Sequence, residues 1–519
     1  MKEAIPHQKF WLSDLAVIAY VSLANFAWHL IAIRGYGYFR DELYYLVCSD
    51  HLAFGYVDHP PLSILLLKVI RFLFGDSLVA IRILPALGGA LFVFMAGLMA
   101  RELGGKKFAV LLASAAAFAP VGNFFLFHIY SMNFLDLLFW LAGLFIVLRI
   151  IKTDNPKYWL LFGLTAGLGL QNKVSVLFLG FGLTAGLLLT SKRRHLASPY
   201  LWLGGALAAV LFLPYILWNL SHGWPTLEWM RNVQVLKNIQ NTPLGFLRDQ
   251  ILYNNPLTLA VWLPGLWYFF FHKEGKNFRL FGWMYLSLFL LFFLQRGKDY
   301  YLAGAYPILF AGGALQFEKW LRAKAGRWLR PALSAIVLAS GFIFSPLVLP
   351  LLPVEKTIAI YRSLGMQYNQ ERTAPGVLPQ PMADMFGWEE MAAKVAEAYE
   401  SLTPEERSDC LIYVRNYGQA AAIDFFGKKY HLPMAACGHN NYWLWGPPEW
   451  SGKAAIIFGT TNDLQRSLAD LSPYFQEVRH IATTACDYAM PYENNRPIFV
   501  CRGAKFSLRD IWTKEKHFI

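Results

Sequence analysis

Long apolar runs, recurring through roughly the first 350 residues, constrain this chain more than any motif it carries. About 20 apolar residues in a helix span the ~30 Å hydrocarbon layer, and a chain with many such runs has to fold in lipid. The runs fall at residues 11–33, 81–100, 108–127, 133–150, 158–170, 174–190, 200–220, 257–271, 278–295, 303–317 and 331–349, about eleven spans. Composition agrees: 56% of residues are hydrophobic and only 16% charged, against about 25% charged in a soluble domain. The net charge of +13 does not point to nucleic acid, because the basic residues lie in short connections between apolar runs, where membrane orientation accounts for them.

Charge bias then orients the chain. With the amino terminus inside, the connections 101–107, 149–157, 192–194, 273–279 and 319–330 are cytoplasmic and hold about 17 Lys and Arg, against about 11 in the much longer outer ones. Residues 1–10 read as a short polar tail, and 11–33 as a retained first helix rather than a removed signal peptide. Segment 35–80, the loop 221–255 and everything after 349 fall outside the cytoplasm. Residues 61–74 are apolar but too short and too basic, with Lys68 and Arg71, to cross; they predict an interfacial helix. Two domains result, a transmembrane one over 1–353 and an extracytoplasmic α/β one over 354–519. In the latter, strands are expected at 411–414, 454–458 and 497–501, helices at 419–429 and 463–475, and a loop at 373–381. Four of the five cysteines, Cys410, Cys437, Cys486 and Cys501, lie there, and an oxidising compartment predicts one or two disulfides among them. The aromatic segment 438–450 reads as core or membrane-docking surface, or as a platform for sugar rings.

The polar residues out of place in this background are few. Asp41 and Glu42 follow the first apolar run directly, and Asp58 and His59 come next, pinned by Pro60 and Pro61. Ionisable groups beside hydrocarbon are costly to keep, which marks them as functional candidates. Asp136, Lys173 and the cluster Arg296, Lys298, Asp299, Tyr300 and Tyr301 all fall, by this topology, at the outer ends of spans, level with Asp41. Asp41, Asp58, His59 and Asp136 together offer oxygen and nitrogen donors to a divalent metal, though no obligatory one is expected. There is no phosphate-binding G-x-x-x-x-G-K-[ST] run, so ATP-driven chemistry is unsupported, and there is no D-x-D. Gly-rich pieces such as 163–169 predict close helix packing.

The motifs RDELYY, DHPPL, HIYSMNFLD, QNK and KDYYLAGAYP, spread over the first 310 residues or so, resemble those of bacterial membrane glycosyltransferases related to the protein O-mannosyltransferases and to the aminoarabinose transferase of lipid A. The sequence departs from that last enzyme at His59, where it has lysine before the two prolines. The resemblance implies the C-type glycosyltransferase fold. It also implies a sugar donor carried on a polyprenyl phosphate and an acceptor hydroxyl on a glycan, lipid or protein. Asp41 would be the general base of an inverting single displacement, with Glu42 assisting. Lys298, Lys173, Arg296 and His59 would meet the donor phosphate, and Asp58, Asp136, Tyr300 and Tyr301 would bind substrate. The competing classes are a transporter, which should hold its charges near the midplane on broken helices, and a receptor with an outer ligand-binding domain.

Overall fold

The computed structural model describes residues 13–322, 326–366, 369 and 371–519, so the expected tail 1–10 and the first residues of the first span lie outside the described residues. The chain packs into two compact units. The first comprises Met1–Ile33, Ile81–Ile216 and Gln240–Leu351. The second comprises Arg34–Ala80, Leu217–Ile239 and Leu352–Ile519, so that segments the sequence assigns to its transmembrane domain share a unit with the tail.

Within the first unit every expected apolar run is helical. Among the described residues six helices are long and apolar enough to cross a membrane by length and composition, Asp14–Ala32, Leu78–Glu102, Met132–Thr153, Pro199–Ser221, Gly275–Leu294 and Leu329–Leu347. A seventh is reached if Val176–Leu188 and Ser191–Ala197, bent by 116°, form one broken span. The other runs make shorter helices. Tyr158–Leu170 has 13 residues, which at 1.5 Å per residue reaches ~20 Å, short of the ~30 Å hydrocarbon layer. The expected span 108–127 is split at Pro120 into Lys107–Phe118 and Val121–Leu126, because proline cannot continue the backbone hydrogen-bond ladder. Small residues set the helix spacing, as expected of the Gly-rich runs. A β-carbon on Gly163 would lie 2.2 Å from the Gly204 carbonyl oxygen, and one on Gly265 would lie 2.0 Å from that of Leu309, so these backbones meet where only glycine fits.

The second unit is built on a five-stranded mixed sheet of order β2-β1-β3-β5-β4, with β1 Cys410–Tyr413, β2 Ala435–Ala436, β3 Ala454–Phe458, β4 Phe475–Thr483 and β5 Pro497–Ala504. β2, β1 and β3 are parallel; β3–β5 and β5–β4 are antiparallel. β1 and β3 are buried at every position, as parallel strands covered on both faces must be. The strands expected at 411–414, 454–458 and 497–501 are β1, β3 and β5. The helix expected over 463–475 is shorter, Leu464–Leu471, since Pro473 stops it and Phe475 opens the edge strand β4, whose Gln476, Glu477, Arg479 and His480 face outward. Beside the sheet, the helix Arg40–Cys48 packs against the helix Tyr417–Phe426, joining the start of the chain's second unit to its tail. The expected interfacial helix is Leu62–Phe74. It buries Ile64, Leu67 and Ile70 and leaves Leu65, Val69, Phe72 and Leu73 exposed, while Arg71 anchors it through Asp50 and Asp76.

The aromatic segment 438–450 is structural. The indoles of Trp443 and Trp512 each donate to the other's carbonyl, Trp450 donates to the Ala454 carbonyl, and the Tyr442 hydroxyl donates to Asp424. The expected disulfides do not form: all five cysteines are free. Cys410 and Cys501 lie on strands separated by β3, so their backbones are about 9–10 Å apart at ~4.8 Å per strand, beyond the ~7 Å that a bridge allows. Denaturing alkylation without reductant should therefore add five adducts by intact-mass measurement, and native alkylation should favour Cys486, which alone among them is not fully buried. Fewer than five would reveal a bridge.

Candidate functional site

The helix Arg40–Cys48 begins where the Phe39 amide is capped by the Glu42 carboxylate, 2.9 Å away. Glu42 is completely buried, and this N-cap contact is what a Glu three residues into a helix supplies. Asp41, one residue earlier, is left in the first turn, where the helix dipole favours a negative side chain. Its Oδ1 accepts a hydrogen bond from the Tyr417 hydroxyl at 2.8 Å and lies 3.6 Å from the Arg40 Nε. Its Oδ2 has no hydrogen-bond partner among the described residues, and the side chain is 37% exposed.

Arg40 is the hub of this arrangement. Its guanidinium, 10% exposed, donates to Glu371 at 2.8 Å and to the Tyr492 hydroxyl at 2.8 Å, and it lies 3.7 Å from Asp384. Its backbone amide donates to the Asp384 carbonyl at 3.0 Å. The guanidinium also stands over the Tyr417 ring, 5.5 Å from the centroid, within cation–π range. Gly418 makes room for it, because a β-carbon there would lie 2.7 Å from the Arg40 side chain. Glu371 is shared with Lys237 at 3.4 Å. Burial pushes the Asp384 carboxyl up from its ordinary range, against the pull of Arg40. Burial likewise raises Glu493, despite hydrogen bonds from Gln419 and Asn416. Glu371 therefore meets both cations, Arg40 and Lys237. Arg40, Lys237, Glu371, Tyr417, His439 and Tyr492 line a cavity of about 220 Å³.

Asp58 accepts from the Tyr44 hydroxyl at 3.1 Å. Burial raises its carboxyl above the usual value, and the charge of Asp41 adds to that. His59 is enclosed, 1% exposed, with the rings of Tyr45 and Tyr56 at 4.6 and 4.8 Å. Its Nδ1 lies 3.1 Å from the Pro60 carbonyl, which can only accept, so Nδ1 carries the proton.

The remaining candidates belong to the first unit. Lys173 donates to Asn133 at 2.8 Å, pairs with Asp136 at 3.5 Å and stands over the Tyr300 ring at 5.1 Å. Asp136 is also bonded by the Ser175 hydroxyl. Asp136, Lys173 and Tyr300, far apart in sequence, therefore meet. Tyr301 packs on Tyr300 and Phe292. Arg296, in the left-handed region with φ 53°, is exposed and donates to Gln240. Lys298 precedes the short helix Asp299–Ala305. Among the described residues no group of three or more His, Cys, Asp or Glu side chains is arranged to hold a metal ion.

Sequence reasoning missed Arg40, Tyr417, Glu371, Asp384 and Tyr492. Arg40 had a signal, standing next to the acid pair. The others are hundreds of residues downstream with no local mark.

A chain with a helical, membrane-type first unit and this small mixed α/β unit has the C-type glycosyltransferase fold. Residues 58–218 match the family described as dolichyl-phosphate-mannose-protein mannosyltransferase, and no curated protein matches. Among solved structures, ArnT from Cupriavidus metallidurans bound to undecaprenyl phosphate is 14% identical over 94% of this chain and 97% of that one, with a TM-score of 0.58. The same protein in the apo state is 16% identical, with a TM-score of 0.57 over the same shares of the two chains. The archaeal oligosaccharyltransferase AglB from Archaeoglobus fulgidus, in complex with an inhibitory peptide and a dolichol-phosphate, is 12% identical over 88% of this chain and 70% of that one, with a TM-score of 0.51. At these identities the likeness is one of fold.

The buried charges of the hub lead to two expected outcomes. Arg40→Met strands buried carboxylates and should cost about 3–5 kcal/mol, read as a lower denaturation midpoint. The folded protein holds the Asp384 proton more tightly than the unfolded chain does, so that group's contribution to stability is greatest at low pH and falls as pH rises above the ordinary carboxyl value of 3.8. Asp384→Asn should flatten the decline in thermal midpoint between about pH 4 and pH 7; an unchanged slope would refute the assignment.

Proposed function

We propose that this chain is a membrane glycosyltransferase that moves a sugar from a polyprenyl-phosphate-linked donor to an acceptor hydroxyl, by a single inverting displacement. The observation that carries the reading is the Asp41 carboxylate, one oxygen held by Tyr417 and the other unbonded on a partly exposed side chain. The fold shared with proteins solved with undecaprenyl phosphate and dolichol-phosphate supports the donor class. So does the match of residues 58–218 to the mannosyltransferase family.

In this reaction Asp41 Oδ2 takes the proton of the acceptor hydroxyl as its oxygen bonds to the anomeric carbon. The bond from that carbon to the phosphate oxygen breaks with inversion, and the leaving polyprenyl phosphate carries away the electron pair. The transition state is oxocarbenium-like, and the charge growing on the phosphate calls for cations. Lys298, Arg296 and Lys173 are the residues we assign to it. The enclosed position of His59 among tyrosine rings suits it to packing. Glu42 acts by holding the helix start that presents Asp41, and Asp58, Asp136, Tyr300 and Tyr301 are assigned to substrate. No obligatory metal enters this proposal. The bias of Lys and Arg toward one set of connections supports a site on the outer face of the cytoplasmic membrane. There the donor's isoprenoid chain stays in the bilayer, and the acceptor is a glycan, lipid or protein. The exposed apolar face of Leu62–Phe74 suits a helix lying in the headgroup layer.

Purified full-length protein in lipid should transfer sugar from a polyprenyl-phosphate donor and ignore nucleotide sugars. Asp41→Asn should lower the rate about 10²–10⁴-fold with an unchanged melting profile. Transfer from nucleotide sugars alone, or full activity in the Asp41 variant, would defeat the reading. Mass spectrometry of envelope lipids, polysaccharides and proteins with and without the chain would identify donor sugar and acceptor together.

A further inference from the structure

We infer that Tyr417, carried by the tail 376 residues downstream of Asp41, is a positioning residue for the reaction, fixing which oxygen of the Asp41 carboxylate receives the acceptor's proton. The inference rests on the reading of Asp41 as the base. Four contacts lock the Tyr417 ring before any substrate arrives. The Arg40 guanidinium and the Lys237 ammonium stand over it at 5.5 and 5.8 Å, and the rings of Tyr44 and His439 pack against it at 4.7 and 4.8 Å. Its backbone is held as firmly. Asn416 caps the helix that Tyr417 opens by accepting the Gln419 amide, and Glu493 receives both the Asn416 and Gln419 side-chain amides. The phenol is buried, which pushes its pKa well up, so it keeps its proton and stays the donor in the bond to Asp41 Oδ1.

A carboxylate on the first turn of a helix has a rotatable side chain and two equivalent oxygens. Bonding one of them to a rigid phenol leaves a single oxygen free, Oδ2, in a fixed direction. Catalysis gains from such placement because a reacting group held in register needs no reorientation in the transition state. Tyr417 does this without touching the sugar. Its ring is at the same time a wall of the 220 Å³ cavity that Arg40 and Glu371 also line.

The test uses the full-length protein in lipid. Tyr417→Phe keeps the ring, its cation–π contacts and its packing, and removes only the hydroxyl. The expected result is a kcat about tenfold or more lower, with the donor KM within about twofold. A role confined to packing would change kcat and KM together or leave both alone. A folded Tyr417→Phe protein with the kcat of the unsubstituted chain would overturn the inference. Thermal midpoints of the single Tyr417→Phe and Asp41→Ala variants and of the double variant give a check independent of transfer. Non-additive midpoints uphold the contact, and additive ones overturn it, including where Tyr417→Phe itself is unstable. If the unsubstituted chain transfers no sugar, the glycosyltransferase reading fails on its own, and the midpoints still decide whether Tyr417 holds Asp41.

Discussion

A buried guanidinium organises the second unit. An arginine cannot shed its charge, so enclosing Arg40 among side chains is stable only if acids and acceptors stand around its guanidinium. Glu371, Tyr492, Asp384 and Asp41 surround it. They come from positions up to 452 residues away, which means that satisfying one side chain brings the start of a short helix into contact with several parts of the tail. Gly418 is the steric counterpart of that requirement, since its missing β-carbon lets the arginine stem lie along the neighbouring helix. The surplus of acid groups around one arginine is relieved by burial, which holds Asp384 and Glu493 toward their neutral forms.

This hub decides what Asp41 can do. The acid stands on the first turn of a helix whose start Glu42 fixes and whose flank Arg40 ties down. Tyr417 claims one of its oxygens. Of the acid pair, then, one carboxylate is consumed in holding the backbone and the other is left with an unbonded oxygen. That division of labour is a consequence of helix geometry. The residue three positions into a helix can fold back onto the cap, whereas its predecessor points elsewhere. The parallel cluster in the first unit follows the same economy of charge, with Lys173 placed among Asp136, Asn133 and the Tyr300 ring.

Much of the fold was legible in the sequence because its signals are local. A run of apolar residues becomes a helix whatever its neighbours do, and every such run in the first unit did. β1, β3 and β5 were legible for a related reason: each is a short, continuous apolar stretch. Edge strand β4 was not, because FQEVRHIAT carries four outward polar residues and follows a helical stretch whose end is set by Pro473. The cysteines illustrate the reverse error. Their number and compartment suggested bridges, but strand order put β3 between Cys410 and Cys501, and no composition argument contains strand order.

By itself the sequence determined the class of protein, the helices of the first unit and the acid pair as the place to look, since hydropathy, turn chemistry and adjacent charges are properties of neighbouring residues. Only the tertiary structure decided which acid keeps a free oxygen, which cation is enclosed, and that a tyrosine of the tail holds Asp41. Those outcomes depend on side chains hundreds of residues apart competing for the same few hydrogen-bonding positions, and that competition exists only once the chain has closed on itself.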